Sequence, residues 1–223
     1  MAFLEFRNVS KVYPPNVRAL ENVTFSLEKG EFVFVQGATG AGKTTLFRLI
    51  TREERPTKGE IWFSGRRIDN LDSQLVPFLR QRLGVVFQDL ELVPEWTVYE
   101  HLVAPLFVLG MNGREALQAA KKMLSLLGLE DKSFFQVRCL SGGEKQKLCV
   151  GRALIHRPKL VLADEPTGNL DEVSAMEVLK LLFEFSRREK ATVVVATHNR
   201  ALLGCFPARV IFLEKGRVWE GER

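Results

Sequence analysis

Residues 37–44 read Gly-Ala-Thr-Gly-Ala-Gly-Lys-Thr, a match to G-x-x-x-x-G-K-[ST]. The setting of this run narrows the available folds more than any other feature of the chain. Residues 32–35 before it are continuously apolar, as in a strand buried on both faces. Residues 43–51 after it read as a helix. Strand, glycine-rich loop and helix in that order make a cradle for phosphate. Glycines let backbone N–H groups turn inward, and the helix offers the positive end of its dipole to the same anion. Lys43 adds a fixed cation for the β- and γ-phosphates, and the Thr44 hydroxyl is a hard oxygen suited to Mg²⁺. The candidate nucleotide-binding residues are Gly37, Ala38, Thr39, Gly40, Ala41, Gly42, Lys43, Thr44 and the adjoining Thr45.

Composition sets the frame for that loop. The 223 residues, 46% hydrophobic and 26% charged, suffice for one large α/β domain with a real core. No apolar run approaches the roughly 18 residues of a membrane span. The longest, residues 102–111, contains Pro105 and Gly110, and residues 1–7 lack the layout of a secretion signal. The chain is thus expected to be cytosolic and to reach a membrane only through a partner. Cys139, Cys149 and Cys205 have neither disulfide nor zinc spacing and are expected to be buried or semi-buried free thiols. The net charge of +5 suits a nucleotide, an anionic membrane or a nucleic acid and does not choose among them. The basic residues are dispersed, without a basic tail.

Strand and helix signals alternate along the chain. Val23, Phe25 and Leu27 alternate with polar neighbours, and residues 61–65 read as a strand entering a turn. Residues 83–87, 160–163, 192–196 and 209–213 read as further strands. Helices are expected over 114–128, with Leu117, Ala120, Leu124 and Leu127 on its apolar face, over 141–156, and over 173–188. This alternation argues for a mainly parallel sheet covered on both faces. Residues 88–136 are helix-rich with no strong strand, which suggests a helical insertion.

Two more motifs carry chemistry. Residues 160–165, Leu-Val-Leu-Ala-Asp-Glu, form a buried strand ending in two carboxylates. Asp164 is placed to hold Mg²⁺, and Glu165, one residue on, points elsewhere and can act on the attacking water. Residues 140–146, Leu-Ser-Gly-Gly-Glu-Lys-Gln, open a helix, and Ser141 with its helix N-terminus makes a second anion site.

Taken in order, these three motifs resemble the ABC ATPases across nearly the whole chain, the third matching their LSGGQ signature. The resemblance implies an α/β P-loop NTPase core with an N-terminal antiparallel β-subdomain and an inserted helical subdomain. It makes residues 1–223 a single domain, with 1–87 and 158–223 as core plus β-subdomain and 88–157 as the helical subdomain carrying the signature. It implies ATP and Mg²⁺ as ligands, and hydrolysis of ATP to ADP and phosphate. It further implies a head-to-tail homodimer in the ATP-bound state, each Ser141, Gly142 and Gly143 facing the phosphate loop of the other copy. By the same resemblance Gln88 matches the Q-loop residue at Mg²⁺ and water, and Asp171 in Asn169-Leu170-Asp171 matches the D-loop at the dimer seam. His198 matches the switch histidine on the γ-phosphate, and Tyr13 the aromatic that stacks on adenine. Lys43, Gln88, Glu165 and His198 are the implied catalytic set; Thr44, Gln88 and Asp164 are the implied metal set.

Residues 164–171, Asp-Glu-Pro-Thr-Gly-Asn-Leu-Asp, resemble the subgroup of macrolide exporters, lipoprotein-releasing ATPases and FtsE-type cell-division ATPases. Residues 59–65, 76–80, 87–89 and 97–100 are most similar to the FtsE type. That resemblance implies an FtsX-like transmembrane partner, control of peptidoglycan hydrolysis, and a peripheral place on the cytoplasmic face of the bacterial membrane at the division site. The alternative is an exporter or lipoprotein-release subunit with the same ATPase chemistry. A nucleic-acid-binding ABC protein is disfavoured, since the chain has one cassette and no heptad insertion; intact Glu165 and His198 argue against a non-hydrolysing scaffold. The chain departs from the pattern at Asn199, where relatives often carry Asp, at Glu144, which replaces the Gln of LSGGQ, and at Lys145. Leu90, Leu92, Val93, Pro94 and Trp96 make an unusually apolar loop, either packed inside or exposed to a membrane partner, with Trp96 as its anchor.

Overall fold

The structure, a computed structural model, describes residues 2–220. Residue 1 and residues 221–223 of the expected single domain lie outside the described residues. Two sheets form its frame. The first is antiparallel and joins β1 (Leu4–Tyr13), β2 (Val17–Leu27), β4 (Lys58–Phe63) and the short β5 (Arg66–Arg67) in the order β2-β1-β4-β5. The second contains β3 (Phe32–Gln36), β6 (Leu83–Val86), β7 (Leu160–Asp164), β8 (Thr192–Thr197), β9 (Arg209–Glu214) and β10 (Arg217–Glu220). Its order is β10-β9-β3-β8-β7-β6, all neighbours parallel except the β9–β10 hairpin.

The apolar runs seen in the sequence are the centre of this second sheet: every residue of β3, β7 and β8 is buried. Alternate side chains feed two separate cores. Phe32, Phe34, Val161, Ala163, Val193 and Val195 face the core built with the helices that follow β6 and β7. Val33, Val35, Leu160, Leu162, Val194 and Ala196 face the other, shared with α1 (Lys43–Ile50) and the antiparallel sheet. Burying one such side chain contributes about 1.5–3 kcal/mol. The strands that carry the loops described below are thus held by burial on both faces.

Between β6 and β7 lie α3 (Val98–Val108), α4 (Gly113–Leu127) and α5 (Gly142–Leu154), with no named strand among the described residues of that stretch. A short α2 (Val76–Arg80) precedes β6, and α6 (Glu172–Glu189) joins β7 to β8. Pro105, read as breaking an apolar run, sits inside α3. The apolar face of α4 differs in part from the expected one. Ala120, Leu124 and Leu127 are buried, but Leu117 is 39% exposed, and Ala116 and Met123 are buried instead. The stripe is rotated by one position, because i, i+4 and i+7 from Ala116 meet the neighbouring helices. The thiols also divide: Cys149 is buried on α5, while Cys139 and Cys205, both in short 3₁₀ turns, are exposed.

Candidate functional site

The site stands on the C-terminal edge of three adjacent strands. Gln36 ends β3 opposite Thr197 of β8, and Asp164 ends β7 opposite Ala196 of β8. This register brings the loops after Gln36, Asp164 and Thr197 to one level, where open parallel sheets bind ligands.

The first loop is closed by its own backbone. Gly37 N–H donates to Thr197 O at 3.3 Å and Ala41 N–H to Ala38 O at 3.1 Å. Gly42 caps α1 in a left-handed conformation, φ 111°, and a Cβ there would lie 2.6 Å from Ala19 O. Only glycine fits, and a glycine brings no side chain to cap the helix. The first amides of α1 are thus left to an anion rather than to a cap. The Lys43 side chain is only 7% exposed; its Nζ donates to Gly37 O at 2.7 Å and Ala38 O at 3.2 Å and pairs with Glu165 Oε1 at 3.1 Å.

Thr44 Oγ1 donates to Asp164 Oδ2 at 2.7 Å. Asp164 Oδ1 is buried and has no hydrogen-bond partner among the described residues. Burial pushes the Asp164 carboxyl above its ordinary value, against the opposing pull of the Thr44 hydroxyl. A buried carboxylate with a spare oxygen beside a hydroxyl suits a hard divalent cation. Among the described residues no cluster of three His, Cys, Asp or Glu side chains can hold a metal alone. A cation held here would need further ligands from outside these side chains.

Glu165 has φ 47°, a left-handed conformation that a non-glycine residue keeps only where its surroundings hold it. Its N–H donates to Ala196 O at 3.0 Å, and its O accepts from Gly168 N–H at 3.1 Å. The carboxylate spans two functional groups: Oε1 meets Lys43, and Oε2 lies 2.9 Å from His198 Nδ1. This arrangement can hold a phosphate, and it can accept a proton beside it.

A cavity of about 390 Å³ opens over these groups, lined by Thr39, Gly40, residues 42–45, Gln88, Asp164, Glu165, Asn169 and His198. A second, of about 210 Å³, shares Thr44, Gln88 and Asp164 with it and runs beneath Phe87, Asp89 and Glu91. Other expected residues stand apart. Tyr13 does not line the cavity; Val17, Arg18 and Ala19 do, and Tyr13 pairs with Val17 across the β1–β2 hairpin. The Tyr13 ring lies under Lys11 Nζ, 4.7 Å from its centre. Asp171 caps α6, accepting from Ser174 N–H at 3.0 Å.

Ser141, Gly142 and Gly143 do not line the cavity of their own chain. Ser141 caps α5 in a reciprocal box: its Oγ accepts from Glu144 N–H at 3.3 Å, and Glu144 Oε2 accepts from Ser141 N–H at 2.9 Å. Glu144 also pairs with Lys132, which, with the box, holds its carboxyl below the usual range. The departure from Gln at this position therefore has a local partner. In the apolar loop, Leu90 and Leu92 pack partly against the core, while Val93 is 40% and Trp96 43% exposed. Gln146, which the sequence reading missed, is buried and lines the nucleotide cavity. Its signal was a polar residue on the face of α5 that also carries Cys149 and Val150.

A model of the family described as ABC transporter matches residues 20–168. The cell division ATP-binding protein FtsE of Bacillus subtilis is 39% identical over 219 residues, 98% of this chain and 96% of that protein. FtsE of Escherichia coli K12 is 41% identical over 218 residues, covering 98% of each. The dimeric ATP-binding cassette MJ0796, in a post-hydrolysis state with ADP and Pi, superposes with a TM-score of 0.90 at 32% identity, covering 99% of this chain and 98% of that one. With its phosphate loop, paired carboxylates and signature helix in place on this fold, the chain belongs to the ABC transporter family, as one of its ATPase subunits.

Proposed function

We propose that this chain is an FtsE-like subunit that hydrolyses Mg-ATP as a head-to-tail homodimer and drives an FtsX-like transmembrane partner in cell division. The observation that carries the chemistry is the Glu165 carboxylate, 3.1 Å from Lys43 Nζ and 2.9 Å from His198 Nδ1 at the C-terminal edge of the sheet. The names of the relatives, cell division proteins at 39–41% identity, carry the cellular role.

Lys43 and the α1 amides bind the β- and γ-phosphates, and residues 37–45 wrap them. Glu165 accepts a proton from the attacking water while His198 holds the γ-phosphate. Thr44, Asp164 and Gln88 would hold Mg²⁺, which would neutralise charge on the phosphates. Phosphoryl transfer needs positioning and charge stabilisation more than covalent catalysis. Tyr13 stacks on adenine from the hairpin end beside Val17, which lines the cavity. Ser141, Gly142 and Gly143 of a second copy close over the γ-phosphate, with Asp171 at the seam.

Residues 88–157 act as the helical subdomain. No helix among the described residues is long and apolar enough to cross a membrane. The partner therefore brings the chain to the cytoplasmic face at the division site, docking on the exposed Val93 and Trp96. The two cavities share Thr44, Gln88 and Asp164, and the second reaches Glu91, two residues before Val93. The test has two arms. The purified chain is expected to release phosphate from Mg-ATP, and a tagged chain is expected to co-purify an FtsX-like integral membrane protein. No phosphate release overturns the chemistry; capture of an exporter's membrane subunit instead overturns the division role.

A further inference from the structure

The segment that follows Gln88 is fastened to a single helix. Arg152 of α5 donates from Nη1 to Glu91 O at 2.6 Å and from Nη2 to Leu90 O at 2.9 Å. Cys149, nearly one turn earlier on α5, donates its thiol to the same Leu90 O at 3.5 Å. Glu91 sits at φ 48°, a left-handed bend that a non-glycine side chain keeps only under restraint. The planar guanidinium fork reaches two consecutive carbonyls at once and so fixes the direction of the backbone as well as its position.

At its other end α5 carries Ser141 as its cap, about 16 Å away at 1.5 Å per residue. The link runs through shared cavity walls, then along the backbone, then through the Arg152 hydrogen bonds. Thr44 and Asp164 share both cavities with Gln88, Gln88 leads into Leu90 and Glu91, and Arg152 ties these to the signature helix. A displacement of Gln88 that reaches Leu90 and Glu91 through the backbone strains two charge-assisted hydrogen bonds to α5.

We propose that Arg152 is a positioning residue that couples Gln88 to the signature end of α5, so that nucleotide engaged at Gln88 orients Ser141 toward the second copy. Arg152 touches no reacting atom and acts through the loop. The inference rests on the assignment of Gln88 to the nucleotide.

The experiment is a double-mutant cycle in the full chain. Arg152→Gln, Arg152→Lys, Gln88→Ala and the double variant Arg152→Gln with Gln88→Ala are compared by kcat, KM for ATP and Tm. Arg152→Gln is expected to lower kcat about 10-fold with KM within about 2-fold, the pattern of an interaction made after binding. Arg152→Lys, which keeps the charge and loses the fork, is expected to fall between. The double variant is expected to be no slower than the slower single one, since both break the same link. Equal loss of kcat from Arg152→Gln with Gln88 present or absent makes Arg152 a plain structural staple and overturns the inference, as does an unchanged kcat. Wild-type turnover in Gln88→Ala overturns the assignment of Gln88 itself. If Arg152→Gln does not fold, Arg152→Lys is carried through the same cycle.

Discussion

The phosphate loop and the signature turn are both anion sites at helix N-termini, yet they are finished to different degrees. Around the phosphate loop the groups are buried and have capacity to spare: α1 has no side-chain cap, and Asp164 Oδ1 has no partner among the described residues. At the signature, Ser141 is exposed, and its cap is closed within its own helix by Glu144. The first site is shaped for a ligand that enters its own chain. The second is a stable helix end on the surface, whose 3.3 Å bond from Glu144 N–H to Ser141 Oγ costs little to share. One copy of the chain thus holds a deep half-site and a surface half-site that do not meet. In the proposed head-to-tail dimer a second copy joins them.

That contrast is broken most completely by exchanging half-sites. Lys43→Ala is expected to abolish phosphate binding, and Ser141→Arg to clash at the γ-phosphate held by the other copy. Each homodimer should be inactive. Mixing the two variants should restore one interface carrying both an intact Lys43 and an intact Ser141. The readouts are ATP-dependent dimerisation and phosphate release. Normal dimerisation and turnover by either variant alone would show that the half-sites act within one chain.

Within the deep half-site, Glu165→Gln separates binding from turnover. The amide keeps the contact with His198 but no longer pairs with Lys43, so ATP binding should be retained or tightened. Turnover should fall by about 10²-fold or more, the range for loss of a general base. The protein should then collect as an ATP-bound dimer on size-exclusion chromatography. Near-normal phosphate release would remove Glu165 from the chemistry.

The same contrast explains what the sequence disclosed. The deep half-site was legible because its constraints are local and covalent in spacing. Gly42 must tolerate φ 111°, Lys43 follows it, and Asp164 and Glu165 end an apolar run, so each announces its neighbour. The strands were legible for the same reason, since burial on both faces leaves an unbroken apolar run. What escaped depended on contacts distant in sequence. Arg152 reads as an ordinary helix cation until its carbonyl partners, some sixty residues earlier, are brought beside it. Gln146 reads as a helix surface residue, although α5 turns it into the cavity. The rotated face of α4, with Ala116 in place of Leu117, was hidden because alanine gives a weak apolar signal. Tyr13 is matched to the adenine-stacking aromatic by resemblance alone, and its place beside Val17, which lines the cavity with Arg18 and Ala19, follows only from the hairpin.

The surface side of the comparison is sharpened by Trp96. Its ring lies 5.3 Å from that of His101, so one face is supported while 43% of the residue stays exposed. Trp96→Glu is expected to leave folding and ATP binding near wild type, because the half-buried neighbours Leu90 and Leu92 are untouched. Pull-down of the membrane partner should be lost, since aromatic anchors dominate such interfaces. Unchanged pull-down would remove Trp96 from the docking face, and loss of folding would return it to the core.

The smallest effect concerns the cap that makes the signature turn self-sufficient. Glu144 accepts from Ser141 N–H and pairs with Lys132, and Lys132 first, then the cap, holds its carboxyl low. A carboxyl depressed in the folded state adds stability above its unfolded value, about 4.3, and loses it as pH falls through the lower folded value. Glu144→Gln can still accept from Ser141 N–H but loses the charge. With the Lys132 side chain 38% exposed, solvent screening limits the ion pair to about 0.5 kcal/mol. For a domain of this size that is a Tm lower by about 1–2 °C near neutral pH. The gap between wild type and variant should close as pH falls through the lowered folded value, and should narrow in high salt. A gap that persists unchanged in acid would mean that the amide disturbs the cap geometry and that the charge on Glu144 is idle. A variant more stable than wild type at pH 7 would mean that the Lys132 pair does not repay its desolvation.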